Sequence, residues 1–389
     1  MAGGELEGVA GEFEGFEVKL RWGEVEGDES LDAVPEAAGV VEEAGDGNVG
    51  VVHDLEGLLK LMLQFGVERH SAIPIRGNVI LAQQPGRVKC KTVLKSPNHM
   101  YHGRLAHKPT GESMHICLNR ATAGGGLGLE EFLRVASSAG FPGADVDMGY
   151  GEAKGAGGLR ELYGESALRF GGWGLPFDFR AEAGAEREGI LKLAAQSHIA
   201  SELEIDSCAT WLMPSSELPF MENWAFHVSR LKPAAKVLAD CGLRLGLEFI
   251  GPYHHRRSQA HEFVFTPGQM LELADAIGEN VGLLVDSFHV HTSGTPWEQL
   301  AEIPAKRIVM VHLNDAPGGP VASLKDFKRE LPGEGVLDLC AFMGALEKTG
   351  YAGPVSLEVF SEGLKAMPAE EAAKRAWSAT RKALGKYAG

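Results

Sequence analysis

The 389-residue sequence predicts a closed (β/α)8 barrel over residues 114–389, preceded by a poorly ordered N-terminal extension over residues 1–113. Three observations predict it. Eight short apolar runs alternate with amphipathic stretches of helix length, the repeat expected of parallel strands and their return helices. The runs are continuously apolar rather than alternating, as strands buried on both faces must be. Finally, acidic and imidazole side chains close several consecutive runs, where a barrel carries its chemistry.

The predicted strands are HICLN (115–119), ADVDM (144–148), LRFGGW (168–173), CATWLM (208–213), LRLGLEF (243–249), VGLLVDS (281–287), RIVMVHL (307–313) and PVSLEVF (354–360). Helices are expected over 129–140, 187–203, 223–242, 267–278, 337–350 and 368–387. Pro267 follows Thr266 and suits a first helical position, while Gly140, Gly278 and Gly350 stand where helices should stop. A doubly wound open sheet is the competing fold, but it has no need of eight such units. The first strand runs into GGG (124–126), which is not the dinucleotide-binding GxGxxG pattern, and no Walker A motif occurs.

The extension differs in composition. Residues 1–50 hold 14 carboxylates against Lys19 and Arg21, and repeat small Gly-Glu units that support at best a weak hairpin. Residues 51–113 hold nine basic and four acidic side chains, with one short amphipathic helix (55–65) and two strands (77–94) as candidates. The expectation is an ill-ordered appendage, or a start placed upstream of the native one at Met114.

The formal net charge of -16 argues against a nucleic-acid surface, which needs a basic stripe. Five scattered cysteines, Cys90, Cys117, Cys208, Cys241 and Cys340, make neither a CxxC pair nor a disulfide framework. With no signal-like segment and no apolar run of membrane length, a cytoplasmic enzyme is expected.

Glu248 closes the fifth run, Asp286 the sixth, His312 the seventh and Glu358 the eighth. Four such groups crowded at the edge of a dry core would suffer repulsion and desolvation, which one divalent cation relieves. Three carboxylates and an imidazole suit Mn(II) first, with Mg(II), Co(II) or Zn(II) also accommodated. Taken singly, each acid could instead cap a helix or pair with an arginine.

His289, three residues after Asp286, is placed to face the same cavity, and His291 lies nearby. Asp315 is expected to support His312 or the long loop 314–335, a candidate lid. Arg329 would reach back from that loop toward a substrate oxygen. Trp173 is the favoured apolar wall, with Trp211 equally suited to the core. His254 and His255 with Arg256 and Arg257 form a basic cluster after the fifth run.

ICLNRATAGG, DVDMGYG, GLEFIGP, GLLVDSFH, MVHLNDAP, R-ELPGEG and GPVSLEVFS together resemble the xylose isomerase-like barrel superfamily of ketose 3-epimerases, hydroxypyruvate isomerase, inosose dehydratase and endonuclease IV. The resemblance covers 114–389. It implies a sugar or sugar-phosphate isomerase or epimerase that works through proton abstraction beside a carbonyl and an enediolate. Glu248 and Glu358 would then be both metal ligands and acid-base groups, with Asp286 and His312 completing the metal shell. His289 and Arg329 match the family's substrate-contacting histidine and arginine. His254 stands where the epimerases carry a glutamate, so the exact reaction stays open, and the cluster it heads leaves a phosphorylated substrate open too. The extra ligands of the trinuclear endonucleases are missing, with Phe327 and Arg329 in place of their Asp-x-His. A small sugar or polyol ketone is the expected partner, and a homodimer or homotetramer the implied assembly. An inosose-type dehydratase and a non-catalytic sugar-binding barrel are the alternatives.

Overall fold

A computed structural model describes residues 113–388 other than Gly125, together with five short strands between Gly8 and Lys91. Two compact units, Met1–His102 and Gly103–Gly389, are distinguished. In the first, Gly8–Phe13 pairs antiparallel with Phe16–Leu20, in the segment expected to hold at best a weak hairpin. Ile80–Gln84 and Arg87–Lys91 pair antiparallel, with Gly39–Val41 on the outer edge. The helix expected over 55–65 lies outside the described residues.

The second unit is the barrel. Its strands are β1 (His115–Leu118), β2 (Gly143–Ala144), β3 (Arg169–Phe170 continued by Trp173–Gly174), β4 (Ser207–Leu212), β5 (Arg244–Phe249), β6 (Val281–Asp286), β7 (Ile308–Leu313) and β8 (Pro354–Leu357). Every neighbouring pair is parallel, and β8 returns to β1. β3 closes the ring: its first half pairs with β2 and its second with β4. The step between the halves is Gly171–Gly172, where a side chain has no room. A Cβ on Gly171 would lie 2.4 Å from Asp145 Oδ1, and one on Gly172 would lie 2.4 Å from Met310 Sδ.

Return helices surround the strands: α1 (Leu129–Ala139), α2 (Met148–Glu165), α3 (Ala183–Glu202), α4 (Phe220–Asp240), α5 (Pro267–Ile277), α6 (Ser287–Ser293), α7 (Leu339–Thr349) and α8 (Ala369–Leu384). Thr266 caps α5 by accepting from Gln269 N at 3.3 Å, as its Thr-Pro start predicts. Gly140 ends α1 at φ 93°, a left-handed geometry that costs glycine least. No helix among the described residues is long and apolar enough to cross a membrane.

The second strand differs from expectation. Pairing stops at Ala144, and Asp147, which the apolar pattern placed inside the strand, instead caps α2 through Gly149 N. α2 itself is missing from the sequence reading because glycine dominates MGYGEAKGAGGLRELYGE and lowers helix propensity throughout. The main core lies between strands and helices, with Leu118, Leu247, Leu313 and Leu357 fully buried. Inside the barrel the apolar filling is small: Ala209, Leu284 and Met310 form their own cluster. One layer above it, at the C-terminal mouth, the inward positions become polar.

Candidate metal centre

Strand periodicity puts residues i and i+2 on the same face. Two positions beyond Leu284 and Met310 come Asp286 and His312, which are register partners on β6 and β7. Glu248 stands on β5, paired with Trp211 of β4. Glu358 follows the end of β8 and is tied back by its own N–H, which donates to Leu313 O at 3.0 Å. Glu248, Asp286, His312 and Glu358 each offer one ligand atom, and these atoms lie within 4.8 Å of one another. His312 Nδ1 is 3.2 Å from Glu248 Oε1, 3.3 Å from Glu358 Oε2 and 4.0 Å from Asp286 Oδ2.

Asp286 does several jobs at once. Its Oδ1 accepts from His289 N at 3.0 Å and caps α6. Its Oδ2 faces the cluster, accepting from Asn314 Nδ2 at 2.8 Å and Arg329 Nη1 at 3.0 Å. Helix capping and arginine pairing are therefore both present, and they leave the second oxygen turned toward the other ligand atoms.

Arg329, expected to reach back from its loop, is buried at 3% exposure. Nη1 donates to Asp286 Oδ2 and to Glu358 Oε2, each at 3.0 Å, and Nη2 to Asp326 Oδ1 at 2.8 Å. His289 Nε2 stands 3.2 Å from Arg329 Nη2 and 4.0 Å from Glu248 Oε1. The histidine and arginine singled out in the sequence thus reach the ligand cluster itself.

The electrostatics follow from that packing. Burial pushes the Glu248 carboxyl up, against the pull of His312. Burial acts the same way on Glu358, but the charges of His312 and Arg329 outweigh it and hold that carboxyl low. Burial opposes a charged His312, yet Glu358 and Glu248 outweigh it and raise the ring well above its ordinary value. The Arg329 guanidinium, 3.0 Å from both Asp286 and Glu358, supplies positive charge beside the carboxylates. The donor set fits a divalent cation, since three carboxylate oxygens and an imidazole nitrogen converge where positive charge is already required.

Other expectations are met differently. Asp315 does not reach His312. Its carboxylate accepts from Ala316 N, Gly333 N, Gly335 N and Leu337 N at 2.8–3.2 Å, which pins both ends of the loop expected to act as a lid. Trp173 is 3% exposed and belongs to the main core, so it offers little wall to a substrate. Trp211, by contrast, is 47% exposed beside Glu248, with the Arg180 guanidinium 4.3 Å over its ring. His254 stands on the short helix Tyr253–Arg256, its ring 4.1 Å from that of His255. His255 in turn faces Asp326 at 3.6 Å, and His291 is half-buried in the last turn of α6.

Two carboxylates went unnoticed in the sequence. Asp326 accepts from Arg329, and His255, Arg329 and His289 overcome its burial to keep it ionised. Asp145, just past β2, is pushed by burial up to about 6, with His312 and Ser356 drawing it the other way. Asp145 lay inside the predicted strand ADVDM and Asp326 in the long loop 314–335, and neither position marked it out.

A family model described as the xylose isomerase-like TIM barrel matches residues 133–383. The chain belongs to that family. An inosose isomerase of Halalkalibacterium halodurans is 32% identical over 213 residues, spanning 54% of this chain and 73% of the relative. An inosose isomerase of Bacillus subtilis is 34% identical over 161 residues, 41% of this chain and 55% of its own length, so the chain spans little more than half of that relative. A 3-dehydroshikimate dehydratase of Pseudomonas aeruginosa is 33% identical over 142 residues, 36% of this chain and 21% of its own length. Among solved structures, an IOLI protein with a bound zinc atom is 25% identical with a TM-score of 0.59, covering 70% of this chain and 99% of its own.

Proposed function

We propose that this protein is a divalent-metal-dependent isomerase or epimerase acting on a sugar or polyol ketone, with an inosose as the leading substrate class. The observation that carries the reading is the convergence of Glu248, Asp286, His312 and Glu358 within 4.8 Å at the barrel mouth. The inosose isomerase relatives and the zinc of the IOLI protein support it. Mn(II) and Zn(II) are the metals to try first, since both accept oxygen donors with one imidazole. A bound divalent ion would polarise a carbonyl and its neighbouring hydroxyl, acidifying the carbon-bound hydrogen beside them.

The chain's own part is proton handling. Glu248 near the end of β5 and Glu358 just past β8 bring two carboxylates to the cluster from different strands, and they are the groups placed to exchange the proton. Two carboxyl groups reaching one site from different strands suit a base and an acid flanking one carbon. One takes the proton, leaving an enediolate, and return to the other face or the next carbon gives epimer or isomer. Arg329 and His289 orient substrate oxygens, and Trp211 walls the mouth. Dehydration from the same enediolate is the second reading, favoured by the dehydratase relative.

Exchange of a substrate C–H hydrogen with deuterated solvent tests the reading directly, using an inosose and ketose panel with Mn(II) or Zn(II). Exchange lost in Glu248→Gln or Glu358→Gln is expected. Substrate binding without exchange, unchanged in both variants, would make the protein a binding barrel instead.

A further inference from the structure

The four ligand candidates occupy β5 to β8. The opposite side of the mouth holds an unassigned polar group. Asp145 leaves β2 pointing into the barrel, where its Oδ1 accepts from Ser356 Oγ at 2.5 Å and its Oδ2 from Asn119 Nδ2 at 2.8 Å. Asn119 is itself held, because its Oδ1 caps the turn after β1 through Ala121 N at 2.8 Å. Tyr163 of α2 donates to Asp145 O at 2.8 Å and fixes the backbone. Gly171 supplies the space for the carboxylate.

Ser356 is the informative partner. It is fully buried, it is the register partner of His312, and it lies two positions before Glu358, one layer below it on the inward face. The link from Ser356 to Asp145 passes over β1 and ties β8 to β2. A carboxylate and a hydroxyl inside a barrel cost several kcal/mol in desolvation unless they are paired, and here an apolar pair would pack without that cost. Asp145 is half-buried as a residue, while its partner Ser356 is fully buried.

We propose that Asp145, acting through Ser356, is a positioning residue of the metal centre: it holds the end of β8 so that His312 and Glu358 present their donor atoms together with those of β5 and β6. This rests on the four-ligand reading above. Outer partners of this kind work by restricting the orientations of groups that touch the metal, and their loss lowers metal affinity by roughly 10–100-fold.

The test is calorimetric titration of the full chain with Zn(II), which needs no substrate and no turnover. Ser356→Ala and Asp145→Ala are each expected to weaken Zn(II) binding by roughly 10–100-fold. The double variant should be no weaker than either single one, because both act through one link. Asp145→Asn keeps an acceptor for Asn119 Nδ2 and offers an N–H that the Ser356 hydroxyl can accept in place of donating, so it should bind within about threefold of the unmodified chain. If Asp145→Ala fails to fold, Ser356→Ala decides alone. Folded Ser356→Ala that binds Zn(II) within about twofold of the unmodified chain overturns the proposal. An unmodified chain that binds no Zn(II) removes the four-ligand reading and this inference with it. Strong Zn(II) binding without C–H exchange would fail the isomerase reading while leaving this one standing.

Discussion

Replacing Arg329 by methionine keeps the length of the side chain and removes its charge. Asp286, fully buried, and Glu358 then lose a donor at 3.0 Å each, and Asp326 loses one at 2.8 Å. Removing one partner of a buried ion pair costs about 3–5 kcal/mol, since the other charge is left uncompensated. At about 2–4 °C per kcal/mol for a domain of this size, the melting temperature should fall by on the order of 10 °C. The melts are run by circular dichroism in EDTA and again in excess Zn(II). The fall should be smaller with zinc, because the ion supplies positive charge to the same two carboxylates. A fall of less than about 2 °C in EDTA would refute the reasoning, as it would mean that these ion pairs are worth no more than surface ones. An equal fall in both media would refute the sharing of Asp286 and Glu358 between arginine and metal.

Three further predictions follow from particular contacts. Glu248→Gln and Glu358→Gln should each slow substrate C–H exchange by about 10²–10⁴-fold with metal still bound, measured by proton NMR in deuterated buffer. His227, buried among Phe179, Phe226 and Phe263, has its pKa lowered by burial to about 4. The unfolded ring titrates near 6.5, so its contribution is intact above that pH and is lost as pH falls from 6.5 toward 4. The loss is about 3 kcal/mol at full extent, and urea midpoints at pH 7 and pH 4.5 should converge in His227→Phe relative to the unmodified chain. Asp315→Ala leaves four backbone N–H groups without their acceptor. It should cost about 3 kcal/mol and open the segment after β7 to proteolysis, read as new cleavage between residues 316 and 337.

The barrel and its ligand candidates were legible because each depends on neighbours in sequence. Glu248, Asp286 and His312 each sit at or next to the end of a continuous apolar run, and Glu358 directly follows the run PVSL, so strand direction alone brings them to one rim. The β2 region was not legible. Asp145 and Asp147 share the same spacing in ADVDM, yet one turns into the barrel and the other caps α2, a choice made by two residues of strand pairing. Trp173 was the favoured wall and Trp211 equally suited to the core, until register put Trp211 beside Glu248 and burial closed over Trp173.

By itself, then, the sequence determined the eightfold alternation, the end of the barrel where the polar groups gather and the four groups on β5 to β8, because period and strand ends are local properties. Only the tertiary structure decided that Arg329 binds Asp286, Glu358 and Asp326, that Asp315 pins its loop rather than His312, and that Asp145 meets Ser356 211 positions away. Those pairings join segments distant in sequence, and a charged side chain carries no mark of its partner until closure of the sheet brings the two within hydrogen-bond reach.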